Sequence, residues 1–132
     1  LLIVPECFDS LGLACPHLLL LSQSILSPDL SMLYRLSHEL CHTWFGILTG
    51  PRDWTEEWLT EGVCCYLEDI IHAAVMKWNS DESHNWSVLR ALLKFRILSS
   101  ELGQTSEDLQ TLRPNIGRVT NQEEGNDAHM FV

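Results

Sequence analysis

The chain has 132 residues, enough for one domain with a sizeable core, and 45% of them are hydrophobic. Eight lysines and arginines stand against eighteen aspartates and glutamates, which gives a formal net charge of -10 at pH 7. This balance argues against nucleic acid and anionic membrane surfaces as partners and suits cationic ligands, although acidic proteins without such ligands are equally common.

The cysteines and the apolar stretches indicate the compartment. Five cysteines are an odd number, and two of them, Cys64 and Cys65, are adjacent, so the pattern favours a reducing compartment over a disulfide framework. The opening "LLIVPECFDS" has no starting Met, basic leader or cleavage site, which predicts no secretory signal and a chain entered in mid-domain. We expect a cytoplasmic protein, with the nucleus as the alternative, that is not secreted. The most apolar stretch, "HLLLLSQSIL", is shorter than the roughly 20 residues of a membrane helix, so no membrane span is predicted.

The first 26 residues predict strands. The segments "LLIVP" (1–5) and "HLLLLSQSIL" (17–26) are short, apolar and bounded by Pro and Gly, and both are typical of buried strands. The stretch between them, "FDSLGLACP" (8–16), is predicted as a turn.

Helices are predicted over residues 28–100. The segment "SPDLSMLYRLSHELCHTWFG" (27–46) has a Ser-Pro start signal and leucines near helical spacing. The segments "WTEEWLTEGVCCYLEDIIHAAVMKW" (54–78) and "NWSVLRALLKFRILSSEL" (85–102) each carry an apolar stripe of helical period. The polar remainder predicts a loop-rich end over 101–132. The chain is therefore predicted to be α+β and mostly helical.

The sequence "HELCHTWFG" (38–46) has the spacing of a metal site. On a helix, His38 and His42 lie on one face about 5–6 Å apart at Cβ, so both imidazoles can reach one ion. Glu39 lies one position round the helix, where its carboxylate can reach a water held by the metal and act as a base.

A third ligand is needed for a zinc site that keeps an open fourth position. After eighteen intervening residues, Glu61 follows His42 in the predicted second helix. Either histidine alone would more commonly be an ordinary hydrogen-bonded side chain. The combination of His38, His42 and Glu61 instead predicts one zinc ion per chain.

These motifs resemble a known family. "HELCHTWFG", the eighteen-residue gap and "WLTEGVCCYLE" are similar to the signature of the gluzincin zinc aminopeptidases: H-E-x-x-H, eighteen residues, then Glu within W-L-x-E-G. The branch that contains leukotriene hydrolase and aminopeptidase B is the most similar, and the stretch over residues 1–26 resembles one member in particular. The resemblance covers residues 1–70 and implies that 1–132 is part of a thermolysin-like zinc metallopeptidase catalytic domain.

The resemblance also implies roles and substrates. His38, His42 and Glu61 match the zinc ligands, and Glu39 matches the general base that deprotonates the zinc-bound water. Glu68 matches the glutamate of a Y-L-E segment two turns beyond Glu61, where it either orients a ligand or is an exposed carboxylate. The implied reaction is removal of the N-terminal residue from small peptides, with a preference for basic N-terminal residues.

Two departures from the family pattern leave alternatives open. The family binds the substrate's amino group with a glutamate in a G-x-M-E-N strand, whereas "LGLACP" (11–16) has Ala14 at that position. The family also stabilises the oxyanion with a downstream tyrosine, and this chain has only Tyr34 and Tyr66, both in or beside the predicted zinc-binding helices. An endopeptidase, or a truncated non-catalytic fragment that binds zinc or a partner, is therefore an alternative, and the 132 residues by themselves are expected to be weakly active or inactive.

Overall fold

A computed structural model describes residues 1–6, 11–104 and 112–113. Its regular elements, in chain order, are β1 (Leu2–Val4), β2 (Gly12–Cys15), β3 (Leu18–Ser22), α1 (Leu33–His42), α2 (Glu57–Met76) and α3 (Ser80–Gln104). Short 3-10 helices follow β3 at Gln23–Ile25 and precede α2 at Trp54–Glu56. The prediction of a mostly helical chain with a small strand region is confirmed.

The three strands form one mixed sheet in the order β1-β3-β2. β1 runs parallel to β3, with Leu2 beside Leu20, and β2 runs antiparallel to β3, with Gly12 beside Leu21. Leu21 in the central strand is almost fully buried. The apolar run 17–26 thus forms the central strand over Leu18–Ser22 and then a 3-10 helix, whereas β1, also predicted to be a buried strand, is largely exposed.

β2 lies where the sequence predicted a turn. The prediction was wrong for Gly12–Cys15, because their backbone groups pair with β3 and the reversal is confined to Pro16 and His17. His17 adopts a left-handed φ of 63°, and a proline followed by a left-handed residue suits a tight turn. Residues 8–10 of the predicted turn lie outside the described residues.

α1 begins later than the Ser-Pro signal predicted. The carboxylate of Asp29 accepts hydrogen bonds from the Ser27 hydroxyl and from the Ser31 backbone N–H, and Leu30 has a left-handed φ of 59°. These local bonds offer the backbone an alternative to the helix, so residues 27–32 form turns and the helix starts at Leu33.

α3 begins earlier than its apolar stripe predicted. The side chain of Asn79 accepts from the backbone N–H groups of Asp81 and Glu82 at 2.9 and 3.0 Å, and the Glu82 carboxylate accepts from the Asn79 N–H at 2.9 Å. This reciprocal pair is a capping box, and it starts the helix at Ser80. α3 continues to Gln104, and residues 105–111 and 114–132 of the predicted loop-rich end lie outside the described residues.

The three helices differ in how extensively they contact the rest of the fold. α1 packs against α2 on one side and β2 on the other, and α3 makes a smaller contact with α2. α2 ends at Met76, where Lys77 takes a left-handed φ of 56°. Within the described part of the chain, no residue of α3 is buried and no helix has the length and hydropathy needed to cross a membrane.

Candidate active site

Three side chains from two helices converge at the contact between α1 and α2. The Nε2 atoms of His38 and His42 lie 3.0 Å apart. The two carboxylate oxygens of Glu61 complete the cluster, because Oε2 lies 3.1 Å from Nε2 of His38 and Oε1 lies 3.1 Å from Nε2 of His42. The structure thus brings together the three residues whose spacing predicted a zinc site, as a group with metal-binding geometry.

The other nitrogen of each imidazole fixes the orientation of its ring. Nδ1–H of His42 donates to the backbone carbonyl of Phe45 at 3.1 Å, and Nδ1–H of His38 donates to Oε2 of Glu68 at 2.9 Å. A carbonyl and a carboxylate only accept hydrogen bonds, so Nδ1 is the donor in both rings. The Nε2 lone pairs of both histidines are therefore directed towards Glu61.

The cluster fits a bound cation. Two imidazole lone pairs and a carboxylate meet within contact distance, and two histidines with one glutamate are a ligand set that catalytic zinc takes. Burial opposes a charge on His38, but the Cys65 thiol and the carboxylates of Glu61 and Glu68 outweigh it and raise the pKa of His38 to about 11. The site thus favours positive charge at His38 Nε2, which a metal ion would supply.

Glu39 is buried next to this cluster, and its side chain packs against β2 of the sheet. It is 4% exposed, and its burial raises the pKa of the carboxyl group above the ordinary value, against the charges of His38, His42 and Arg35. A Cβ placed on Gly12 would lie 2.6 Å from Cγ of Glu39, so only glycine leaves room for this carboxylate. A carboxyl with a raised pKa suits proton exchange near neutral pH.

Glu68 is buried rather than exposed. Its residue exposure is 1%, and its two oxygens have different partners, with Oε2 facing His38 and Oε1 accepting from the guanidinium of Arg90 on α3. Of the two readings that the sequence left open, the geometry favours the one in which Glu68 orients His38.

Cys65 contacts the back of the cluster. Its Sγ lies 3.9 Å from Nδ1 of His38, and His38, Cys65 and Glu68 form a second group with metal-binding geometry. Glu68 in that group is already paired with Arg90, and Nδ1 of His38 already has a carboxylate partner. The set of His38, His42 and Glu61 therefore fits a metal ion better. Cys41 on α1 and Cys64 on α2 are buried.

Several aromatic side chains differ in their exposure. Trp44 and Trp54 are 55% and 45% exposed. His72 is buried and stacks on the ring of Trp86 with centroids 5.0 Å apart. Tyr66 is 68% exposed on α2.

The family follows from a comparison with known domains. Residues 13–130 match the model of the peptidase family M1 domain, which is most of the chain. The chain belongs to peptidase family M1. The resemblance that the H-E-x-x-H and W-L-x-E-G motifs predicted is thus confirmed.

Individual relatives are consistent with this family. The chain is 46% identical to aminopeptidase O of Homo sapiens over 115 residues, which are 86% of this chain and 14% of that protein. It is 47% identical to aminopeptidase O of Mus musculus over 87% of this chain and 14% of that protein. Leukotriene A-4 hydrolase of Xenopus laevis is 29% identical over 90% of this chain and 19% of its own length. The chain therefore spans a small part of the length of these relatives, and no solved structure matches it.

Two residues of the site were not predicted from the sequence. Gly12 faces Glu39 from β2, which was predicted as a turn, and Arg90 reaches Glu68 from α3. Gly12 carried a weak signal, since a glycine within a strand often marks a close approach of the backbone to another group.

Proposed function

We propose that this chain carries the metal centre of a zinc-dependent aminopeptidase that removes the N-terminal residue of small peptides. The observation that carries the proposal is the convergence of His38 Nε2, His42 Nε2 and the Glu61 carboxylate beside the buried Glu39. Membership of peptidase family M1 supports it. The names of the similar aminopeptidases support the direction of cleavage.

Each residue has one task in this proposal. His38, His42 and Glu61 hold one zinc ion, which when bound supplies a Lewis acid that activates water and polarises the peptide carbonyl. Glu39 accepts the proton from the water and then donates it to the departing amine. Its burial raises the pKa of the carboxyl group, which makes Glu39 a stronger base for the first of these transfers.

The binding of the substrate's amino group depends on which side chains β2 presents beside Glu39. Because side chains alternate along a strand, Ala14 lies on the same face as Gly12, and Gly12 faces Glu39. Ala14 supplies no carboxylate there to pair with a substrate ammonium. We propose that peptides with basic N-terminal residues are the substrates, which the net charge of -10 favours electrostatically. An endopeptidase is the second candidate, and Ala14 is the observation that favours it.

Zinc stoichiometry tests the metal centre. The protein is stripped of metal, reconstituted with zinc and analysed for metal per chain, alongside Glu61→Ala and the control Glu57→Ala, one turn earlier on the same helix. We expect one zinc per chain in the wild type and the control, and none in Glu61→Ala. A folded wild type without stoichiometric zinc would contradict the proposal.

Peptide hydrolysis tests the reaction. Arginyl peptides with a free N-terminus and with an acetylated N-terminus are compared on the zinc-loaded protein. An aminopeptidase cleaves only the free peptide, whereas an endopeptidase cleaves both. Stoichiometric zinc with no cleavage of either peptide would leave the non-catalytic zinc-binding module as the function.

A further inference from the structure

Arg90 links α3 to the residue that orients His38. Its guanidinium donates to Oε1 of Glu68 through Nη2, and its Nε lies 3.0 Å from Oδ1 of Asp69. The Arg90 side chain is 14% exposed and the Glu68 side chain 2%. This ion pair is therefore shielded from water, where a charge without a partner is costly.

The two oxygens of Glu68 divide the contacts between two helices. Oε1 is taken by Arg90 on α3, and Oε2 accepts from Nδ1–H of His38 on α1. Rotation of the carboxylate would break the contact between Oε1 and the guanidinium, so Arg90 favours the orientation in which Oε2 faces the imidazole. The direction of the His38 ring thus depends on a contact made by α3.

Arg90 is itself held from two other directions. Its guanidinium carbon lies 4.7 Å from the centroid of the Tyr34 ring on α1, within the range of a cation–π contact, and Asp69 on α2 pairs with its Nε. A lysine could supply the charge but would not reproduce these directed contacts, because its ammonium is a point charge on a flexible stem.

We propose that Arg90 is a positioning residue for the metal centre: by fixing the carboxylate of Glu68, it aims Nε2 of His38 at the metal. This inference rests on the proposed function, since it assumes that His38 ligates zinc. It assigns α3, which contributes no metal ligand, a role in metal affinity.

A double-mutant cycle measures this role. The zinc dissociation constant is determined by competition with a chromogenic chelator for the wild type, Arg90→Met, Glu68→Gln and the double variant. Arg96→Met, an exposed arginine on the same helix, is the matched control. Partners that orient a metal ligand typically contribute about 10–100-fold in metal affinity. We expect Arg90→Met to raise the dissociation constant about tenfold, and the double variant to equal Glu68→Gln.

Unfolding measurements separate an effect of Arg90 on the position of His38 from an effect on the stability of the whole chain. The free energy of unfolding is measured on the metal-free forms, and Arg90→Lys is added as the conservative variant. We expect Arg90→Lys to recover the stability but only part of the zinc affinity. If Arg90→Met does not fold, Arg90→Lys against Arg96→Lys carries the test, with zinc affinity lowered only at position 90.

The outcomes distinguish this inference from the proposed function. If the wild type binds no stoichiometric zinc, the proposed function and the positioning role of Arg90 are both wrong. A second outcome is that the wild type binds zinc and Glu68→Gln binds it more weakly, while a folded Arg90→Met or Arg90→Lys binds zinc as tightly as the matching variant at position 96. In that case the positioning role of Arg90 is wrong, but the proposed metal centre is not contradicted. Additive effects of Arg90→Met and Glu68→Gln would show that Arg90 does not act through Glu68.

Discussion

Gly12 and Glu39 meet where the sheet touches α1, and the contact leaves no room for a side chain on the strand. A Cβ at position 12 would lie 2.6 Å from Cγ and 2.7 Å from Cδ of Glu39. We therefore expect Gly12→Ala to displace the Glu39 carboxylate while the metal ligands keep their places. Misplacement of a catalytic group by about 1 Å can cost about 100-fold in rate, so kcat for peptide hydrolysis should fall by that order at unchanged zinc affinity.

Gly103→Ala is the matched control for this substitution. A Cβ at Gly103 on α3 would meet nothing within 4 Å. Alanine is preferred to glycine within a helix, so the control should leave kcat unchanged and stabilise the chain slightly. Equal kcat in the two variants would show that Gly12 has no steric role.

Replacement of Glu39 separates catalysis from metal binding. Glu39→Gln keeps the size of the side chain but removes its ability to accept a proton. Positioned proton transfer contributes about 100-fold to 10,000-fold in rate, and we expect a loss of this order in kcat with zinc affinity retained. A variant that lost zinc instead would assign Glu39 to the metal rather than to the proton transfer.

At the scale of residues, helix geometry predicts the pair of His38 and His42, whereas Glu61 on α2 was predicted from its spacing along the chain after His42. The separation of His38 and His42 by four positions places them on one face whatever packs around them. The distance between Glu68 and Arg90 depends instead on how α3 crosses α2, and no spacing in the chain encodes that crossing. For this reason Glu68 was left between two readings and Arg90 was missed.

The start of α3 depends on the local cap formed by Asn79. Removal of this cap should lower the free energy of unfolding. Asn79→Ala deletes the side chain that accepts from the backbone of Asp81 and Glu82. Loss of an N-cap typically costs about 1 kcal/mol. The free energy of unfolding by urea should fall by this amount, whereas Asn85→Ala, the same change at an exposed position within α3, should leave it unchanged or raise it slightly.

The contact between α2 and α3 contains a histidine whose protonation opposes folding. Burial and the charge of Arg90 lower the pKa of His72 below its ordinary value of 6.5, against the opposite effects of Asp69 and Glu68. The unfolded chain therefore binds this proton more readily than the folded chain. The stability linked to His72 is complete above pH 6.5 and is lost as the pH falls below that value.

The pH dependence of unfolding tests this linkage. His72→Phe keeps an aromatic ring against Trp86 but cannot take up a proton. Between pH 7 and pH 5, the free energy of unfolding should fall more for the wild type than for His72→Phe. His84→Phe, at an exposed position on α3, is the control and should follow the wild type. Parallel curves for the wild type and His72→Phe would contradict the prediction.

At the scale of elements, the sequence patterns predicted that three helices form but misplaced the starts of α1 and α3. Residues 27–32 have a start signal that Asp29 overrides with local hydrogen bonds. Residues 80–84 lack apolar residues, yet the bonds between Asn79 and Glu82 hold them in the helix. Helix ends depend on single side-chain contacts, whereas helix interiors depend on a repeated pattern.

The whole molecule combines an apolar surface with a large net charge of one sign. Large hydrophobic side chains are exposed along α3: Val88, Leu89, Leu92, Leu93, Phe95 and Ile97. Contiguous apolar surface promotes association, and the net charge of -10 opposes it.

Salt should therefore promote self-association. From about 0.01 M to about 1 M salt the Debye length falls from about 30 Å to about 3 Å, which screens the repulsion between copies. The weight-average mass from sedimentation equilibrium should rise over this range, and Phe95→Lys should reduce the rise more than Arg96→Lys. A wild-type mass that does not change with salt, or an equal rise in Phe95→Lys and Arg96→Lys, would contradict this prediction.

At this scale the sequence predicted the family but not the arrangement. The two motifs predicted the family, and the match to peptidase family M1 over residues 13–130 confirms it. The order β1-β3-β2 and the small contact of α3 with α2 depend on long-range packing, which one sequence does not specify.

The hydrogen bonds that orient the imidazoles of His38 and His42 differ in how easily a mutation removes them. His42 donates to the carbonyl of Phe45, a backbone group that every substitution at position 45 retains. His38 donates to the side chain of Glu68, which almost any mutation removes. In a saturation mutational scan, position 45 should tolerate many amino acids and position 68 very few. Random substitutions would therefore release the imidazole of His38 more often than that of His42.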